Sequence, residues 1–277
     1  MPIALHSHSR SLDLTQPVVM GILNATPDSF YNKGQSSDVD SLLRNAEKML
    51  KDGASILDIG GASTKPGQEL ISTEEELKRV IPVIEVLVKH FPDKWLSIDT
   101  YNAAVADAAV RAGVSIINDI SSGRFDKEML HTAARLKVPY IAMHMQGTPK
   151  TMQLSPEYRD VVKEVYGYLE GVCKVCEHIG IAEVIIDPGF GFGKTVEHNF
   201  SLLGSLHEFK QLGRPILAGL SRKSMICKPL KVNPEHALNG TTALNMVALQ
   251  QGANILRVHD VKEAMEVIKL AAYLYNY

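Results

Sequence analysis

The stretch EVIIDPGFGFGKT, residues 183–195, sets the reading of the whole chain. It begins with a short apolar run rich in Val and Ile, without polar alternation, and breaks off at Asp187-Pro188. A run of that kind is a strand buried on both faces, as found in a parallel sheet covered by helices. The glycines after it, at 189, 191 and 193, imitate a dinucleotide fingerprint. Their spacing is GxGxG rather than GxGxxG, and they come after Asp-Pro instead of opening directly into a helix, which speaks against a Rossmann nucleotide site.

Outward from this stretch the same grammar recurs. Strands are expected at residues 17–23, 55–59, 95–98, 115–117, 139–143, 183–186, 215–218 and 253–256. Amphipathic segments lie between them. Val39, Leu42, Leu43, Ala46, Met49 and Leu50 share one helical face, and Gly53 stands after them as a stop. Thr73 with Glu76 reads as a capping box ahead of Leu77, Val80 and Ile81, with Pro82 kinking that helix. Thr241 and Thr242 read as a helix start. The last helix puts Val261, Ala264, Met265, Ile268, Ala271, Ala272 and Tyr275 on one side. Eight strand–helix units in strict alternation predict an α/β fold, a single-domain (β/α)8 TIM barrel over residues 17–277 behind a polar leader at residues 1–16.

The bulk properties narrow the function. The chain has 277 residues, 45% hydrophobic and 22% charged, ample for one core. A formal charge of −2 and the lack of a basic run exclude a nucleic-acid footprint. No segment reads as a secretory signal or a membrane span, and three cysteines cannot form a fully paired disulfide set, so a cytoplasmic protein is expected. Cys173 and Cys176 form a CxxC with His178 close behind, but inside a helical segment and with no second pair, so they read as ordinary helix positions. His6 and His8 in the leader are expected to be disordered.

The polar residues at the end of each apolar run are more telling. The runs lead into Asn24, Asp58, Asp99, Asn118 with Asp119, His144, Asp187, Ser221-Arg222-Lys223, and Arg257 with His259. In a parallel barrel these ends open on one face, where active sites of the fold sit. Asp99, Asn118 and Asp187 suit a heterocycle with amino and ring N–H donors. Arg222, Lys223, Arg257 and His259 form a cationic group suited to phosphate.

Eight motifs carry a family resemblance: MGILNATPDSF (20–30), DIGGASTKPG (58–67), SIDT (97–100), IND (117–119), MHMQGTP (143–149), DPGFGFGKT (187–195), SRKS (221–224) and RVHDV (257–261). In order and spacing, the chain resembles the dihydropteroate synthases from about residue 18 to its last helix. The resemblance implies condensation of 6-hydroxymethyl-7,8-dihydropterin pyrophosphate with p-aminobenzoate in folate biosynthesis. It implies that Asp99, Asn118, Asp187 and Lys223 hold the pterin. Asn24, Arg257 and His259 would hold pyrophosphate, with Asn24 also a Mg2+ ligand. Thr64 and Lys65 would close over the substrates and act with these groups in catalysis. Thr64, Lys65, Pro66, Phe192 and Ser224 would border p-aminobenzoate. Sulfonamide binding and a homodimer built from helices near the C-terminal end are implied likewise.

Three loop positions depart from the family pattern: Asn32 where Asp is usual, Ala62 where Glu is common and Lys65 where Arg is common. Lys keeps the charge of Arg but loses its two-pronged phosphate grip. Two rival readings share the Asp/Asn/Asp pocket. One is a methyltetrahydrofolate methyltransferase barrel serving a corrinoid protein, which would not need cationic residues around a pyrophosphate. The other is a non-catalytic pterin-binding homologue.

Overall fold

The computed structural model describes residues 4–7, 10–25, 37–61 and 71–275. Eight parallel strands succeed one another round a barrel: β3 (Val18–Asn24), β4 (Ile56–Gly60), β5 (Trp95–Asp99), β6 (Ile116–Asp119), β7 (Tyr140–Met143), β8 (Val184–Asp187), β9 (Leu217–Ala218) and β10 (Ile255–Val258). Sequence neighbours pair from β3 to β8, and β10 pairs with both β9 and β3. The ring closes between β8 and β9 through a parallel bridge of Ile186 with Ile216, where the Ile186 N–H donates to Pro215 O at 2.9 Å. All eight expected strands form.

Helices α1 (Ser37–Lys51), α2 (Thr73–His90), α3 (Ala103–Arg111), α4 (Met129–Leu136), α5 (Val161–Ile179), α6 (Val196–Gly204), α7 (Ser224–Leu230), α8 (Leu238–Gln250) and α9 (Val261–Tyr275) surround the barrel. Two details differ from the sequence reading. The cap of α2 is Ser72, whose hydroxyl accepts from Glu75 N–H, and Glu76 is buried instead of reaching back to a cap. Helix α8 begins at Leu238, so Thr241 lies within it; its hydroxyl accepts from Arg222 N–H at 3.1 Å. Helix α2 runs on through Pro82. Cys173 and Cys176 are buried on α5 within the helix–barrel core, and burial raises both thiols, Cys176 to about 12. Low thiolate character makes them poor nucleophiles or metal ligands.

The leader is not disordered where it is described. β1 (Ala4–Ser7) and β2 (Arg10–Asp13) pair antiparallel beneath the barrel. His6 donates its N–H to Glu183 and meets the same carboxylate with its ring nitrogen at 2.7 Å. His8 lies outside the described residues. Leu5 and Leu14 are 2% and 1% exposed and plug the barrel floor. They pack with Met20, Ile56, Trp95, Ile116, Ile141, Ile185, Leu217 and Ile255, one residue from each strand. Burying each plug side chain contributes roughly 1.5–3 kcal/mol.

That floor fixes the rest. Successive side chains on a strand point to opposite faces, so every second residue beyond the floor also points inward. Asp58, Asn118, Asp187 and Arg257 stand two residues beyond their floor residue, and Asn24 and Asp99 stand four beyond. The intervening residues, such as Leu57, Ile98, Ile117, Ile186 and Leu256, pack against the helices. A closed apolar floor beneath an inward-facing polar storey is what aims the site at the opposite mouth.

Candidate active site

Arg257 ties the storey together. Its Nε donates to Asp58 Oδ2 and one terminal nitrogen donates to Asp99 Oδ2, both at 2.6 Å. The same Asp58 oxygen accepts from Asn118 Nδ2 at 3.0 Å. Burial alone would disfavour the guanidinium, but the Asp58 and Asp99 carboxylates overcome it and raise the Arg257 pKa. Burial pushes Asp99 up to about 7, opposed by Arg257 and reinforced by Asp58 and Glu76. Asp58 is wholly buried, and its other oxygen, Oδ1, has no hydrogen-bond partner. A buried acceptor left unpaired is an unmet demand that a ligand donor can satisfy.

Because Asn118 turns its amide nitrogen toward Asp58, its carbonyl oxygen is the group left to face a ligand. Asp187 accepts from Gly189 N–H at 2.7 Å, and burial, opposed first by Lys223, raises its pKa. Asp99, Asn118 and Asp187 therefore offer three oxygens toward an edge rich in N–H donors. Lys223 supplies the complementary donor; its Nζ donates to Phe190 O at 2.6 Å and lies 4.8 Å from the Phe192 ring centroid. Burial draws the Lys223 amine down to about 8, with Asp187 opposing. Phe192 joins Tyr101, Ile120, Met143, Met145 and Met152 in an apolar cluster.

Two glycines lie beside these side chains. A Cβ on Gly60 would meet the Asp99 side chain at 3.8 Å and Asn24 Oδ1 at 3.9 Å. One on Gly219 would meet Lys223 Nζ at 3.6 Å and Arg257 Cβ at 3.9 Å.

At the rim, Ser221 Oγ lies 3.0 Å from His259 Nδ1 and accepts the His259 backbone N–H at 3.2 Å. Partial desolvation, with Arg257 and Arg222 close by, holds His259 below its ordinary pKa and toward the neutral imidazole. His259 therefore enters the cationic group as a neutral donor until an anion arrives. Arg222 commits its Nε and one terminal nitrogen to Asp260, at 2.9 and 2.6 Å. Asn24 ends β3 exposed at the mouth, and Ser224 is exposed where α7 begins.

The inward storey thus brings together Asn24, Asp99, Asn118, Asp187, Lys223, Arg257 and His259. Thr64, Lys65 and Pro66, and with them Asn32 and Ala62, lie outside the described residues. Asp119 and His144 have the opposite parity and do not face the mouth. Asp119 accepts from Ser121, Gly123 and the Tyr140 hydroxyl. His144 is buried against the edge of Tyr168, with ring centroids 5.0 Å apart. Sequence reasoning gave Asp58 no role, although its position two residues beyond Ile56 marks it as inward. It also passed over Lys194, buried behind the Gly189–Gly193 loop.

Comparison with known proteins agrees with this geometry. The profile of the pterin binding enzyme family matches residues 20–259. The dihydropteroate synthase of Escherichia coli (strain K12) is 46% identical over 268 residues, covering 96% of this chain and 94% of that protein. The Yersinia pestis dihydropteroate synthase, solved in a sulfonamide drug complex, superimposes with a TM-score of 0.93 at 43% identity, covering 99% of this chain and 100% of the other. The Xanthomonas albilineans enzyme, solved with 4-aminobenzoic acid, gives 0.93 at 40% identity over 100% of both chains. The relatives named here are synthases rather than methyltransferases. With a matching profile, high identity along nearly its full length and the same barrel, the chain belongs to the dihydropteroate synthases of the pterin-binding enzyme family.

Proposed function

We propose that the chain condenses 6-hydroxymethyl-7,8-dihydropterin pyrophosphate with p-aminobenzoate, giving 7,8-dihydropteroate and pyrophosphate in folate biosynthesis. One observation carries the site assignment: Arg257 bridges Asp58 and Asp99 on the inward storey, beside Asn118, Asp187 and Lys223. Asp99, Asn118 and Asp187 accept from the amino and ring N–H groups of the pterin, while Lys223 donates to its carbonyl edge. Arg257 retains donors for phosphate oxygens beyond the two it commits to carboxylates.

The reaction breaks the bond between the pterin methylene carbon and the pyrophosphate oxygen, and the electron pair leaves with pyrophosphate. The aryl amine of p-aminobenzoate donates its lone pair to that carbon and then loses one proton. Arg257 and His259 oppose the charge growing on the departing oxygens, a preorganised electrostatic role. His259 starts neutral and gains its proton more readily beside the anionic leaving group. Phe192, half-buried beneath Lys223, and Ser224 border the amine's approach, the side on which a sulfonamide would compete. Thr64, Lys65 and Pro66 would cover it.

Asn24 fits a magnesium ion. It presents a hard amide oxygen, exposed at the mouth and across Gly60 from Asp99, and magnesium needs few protein ligands when phosphates supply the rest. When bound, the ion would neutralise charge on the pyrophosphate. A homodimer is supported by Leu270, Tyr273 and Leu274, exposed on α9, and by Leu230 on α7. Among the described residues, no helix is long and apolar enough to cross a membrane.

The test is pyrophosphate release from purified protein. Release that requires p-aminobenzoate supports the synthase. Tight pterin binding without such release would leave only a pterin-binding barrel.

A further inference from the structure

Lys194 is 2% exposed, yet none of its hydrogen bonds goes to a carboxylate. Its Nζ lies 3.0 Å from His144 Nδ1, 2.9 Å from Gly189 O and 3.0 Å from Phe192 O. A longer contact of 3.4 Å reaches His144 O. The three short contacts seat the amino group between one ring nitrogen and two backbone carbonyls, and burial draws its pKa well below the ordinary lysine value. Burial also draws His144 down to about 2, so its ring is neutral.

The two carbonyl partners on the β8 loop bracket Phe190, whose own carbonyl holds Lys223. The loop has no slack against β7. A Cβ on Gly189, at φ +71°, would fall 1.9 Å from His144 O, and one on Gly193 would fall 2.5 Å from Gln146 O. Tyr158 adds a further tie, its hydroxyl donating to Gly193 O at 2.8 Å. Burial raises the Asp187 pKa, and Lys223, Gly189 N–H, Arg257 and Lys194 all oppose it.

We infer that Lys194 is a positioning residue for the pterin half of the site: its buried amino group fastens the Gly189–Gly193 loop to the end of β7, and so sets where Lys223 and Asp187 stand. The inference rests on the assignment of Asp187 and Lys223 to the pterin. Lys194 acts through the loop: it holds the backbone at Phe192, while the Phe192 ring that would border p-aminobenzoate is placed by its own cluster with Tyr101, Met143 and Met152.

Two variants separate the tether from general stability. Lys194→Met keeps the length and removes every donor. Lys194→Gln keeps two donors. Binding of the pterin pyrophosphate and of p-aminobenzoate is measured by calorimetry and steady-state kinetics, well below each variant's melting temperature. Lys194→Met should weaken pterin pyrophosphate by about tenfold or more, with Lys194→Gln intermediate and the KM for p-aminobenzoate nearly unchanged. A purely structural role would lower the melting temperature without that selective loss. Parent-like pterin affinity in folded Lys194→Met overturns the inference, as does equal weakening of both substrates. If Lys194→Met does not fold, Lys194→Gln carries the comparison. If neither folds, Lys194 is a core residue only and the inference falls. Asp187→Ala is the control: if it binds pterin pyrophosphate like the parent, the underlying site assignment is at fault instead.

Discussion

Glu76→Gln should make the protein more stable at mildly alkaline pH and leave it nearly unchanged in mild acid. Glu76 lies in the first turn of α2 and is 0% exposed. Neither carboxyl oxygen has a hydrogen-bond partner; the Thr100 hydroxyl favours the ionised form slightly but stands outside bonding geometry. The nearby Arg79 donates instead to Gly61 O and Glu75. Burial therefore pushes Glu76 from its ordinary 4.5 up to about 7. The folded state keeps this proton through a window in which the unfolded chain has already released it. Stability consequently falls as pH rises from about 4.5 to about 7, then levels off. At ~1.4 kcal/mol per pH unit, that window is worth about 3 kcal/mol. Gln resembles the neutral acid in shape and cannot ionise, so the variant should exceed the parent by about 3 kcal/mol near pH ~8 and match it near pH ~4. Urea denaturation of both proteins across that range measures the difference. Asp99 is raised in the same direction in both proteins, but less in the variant because the Glu76 charge contributes to it, which adds to the variant's margin at alkaline pH. A difference that does not change with pH, or a variant that loses ground as pH rises, refutes the reasoning.

The same storey and its floor yield three further outcomes. Asp58→Ala removes the shared acceptor of Arg257 and Asn118, so the KM for pterin pyrophosphate should rise by about tenfold or more while that for p-aminobenzoate hardly moves. Pterin affinity should fall by roughly tenfold per unit below about pH 7, because ligand N–H donors bind the ionised form of Asp99; calorimetry across that range checks the limb. Leu14→Ala opens the barrel floor and should cost about 2–5 kcal/mol in urea denaturation, with the pterin KM of the folded protein unchanged because the floor and mouth are opposite ends of the barrel.

The fold and half of the site were legible because both rest on period-two patterning. Each strand is too short and too apolar to be anything but buried, and once Met20, Ile56 and Ile185 fill the floor, Asn24, Asp58 and Asp187 must point inward. The same rule separates Asn118 from Asp119, which sequence order alone groups at one mouth: adjacent residues on a strand face opposite ways, so Asp119 turns to Tyr140 and the helix side. What parity does not encode is who pairs with whom across the barrel. Arg222 and Arg257 look alike in sequence, two basic residues at neighbouring strand ends. One is locked by Asp260, just past the end of β10, and the other by Asp58, 199 residues away. The charge of His259 is equally hidden, since it depends first on its burial and then on Arg222 from the preceding strand end as well as on Arg257 within its own motif. Lys194 was illegible for another reason. A lysine after a glycine-rich loop ordinarily suggests an exposed phosphate ligand, and only the close backbone packing of Gly189 and Gly193 turns its side chain inward to three acceptors. Cations in such a mouth therefore carry two tasks at once: Arg257 and Lys223 brace the storey through carboxylates and a carbonyl and still have donors for a substrate, whereas Lys194 spends itself on the loop.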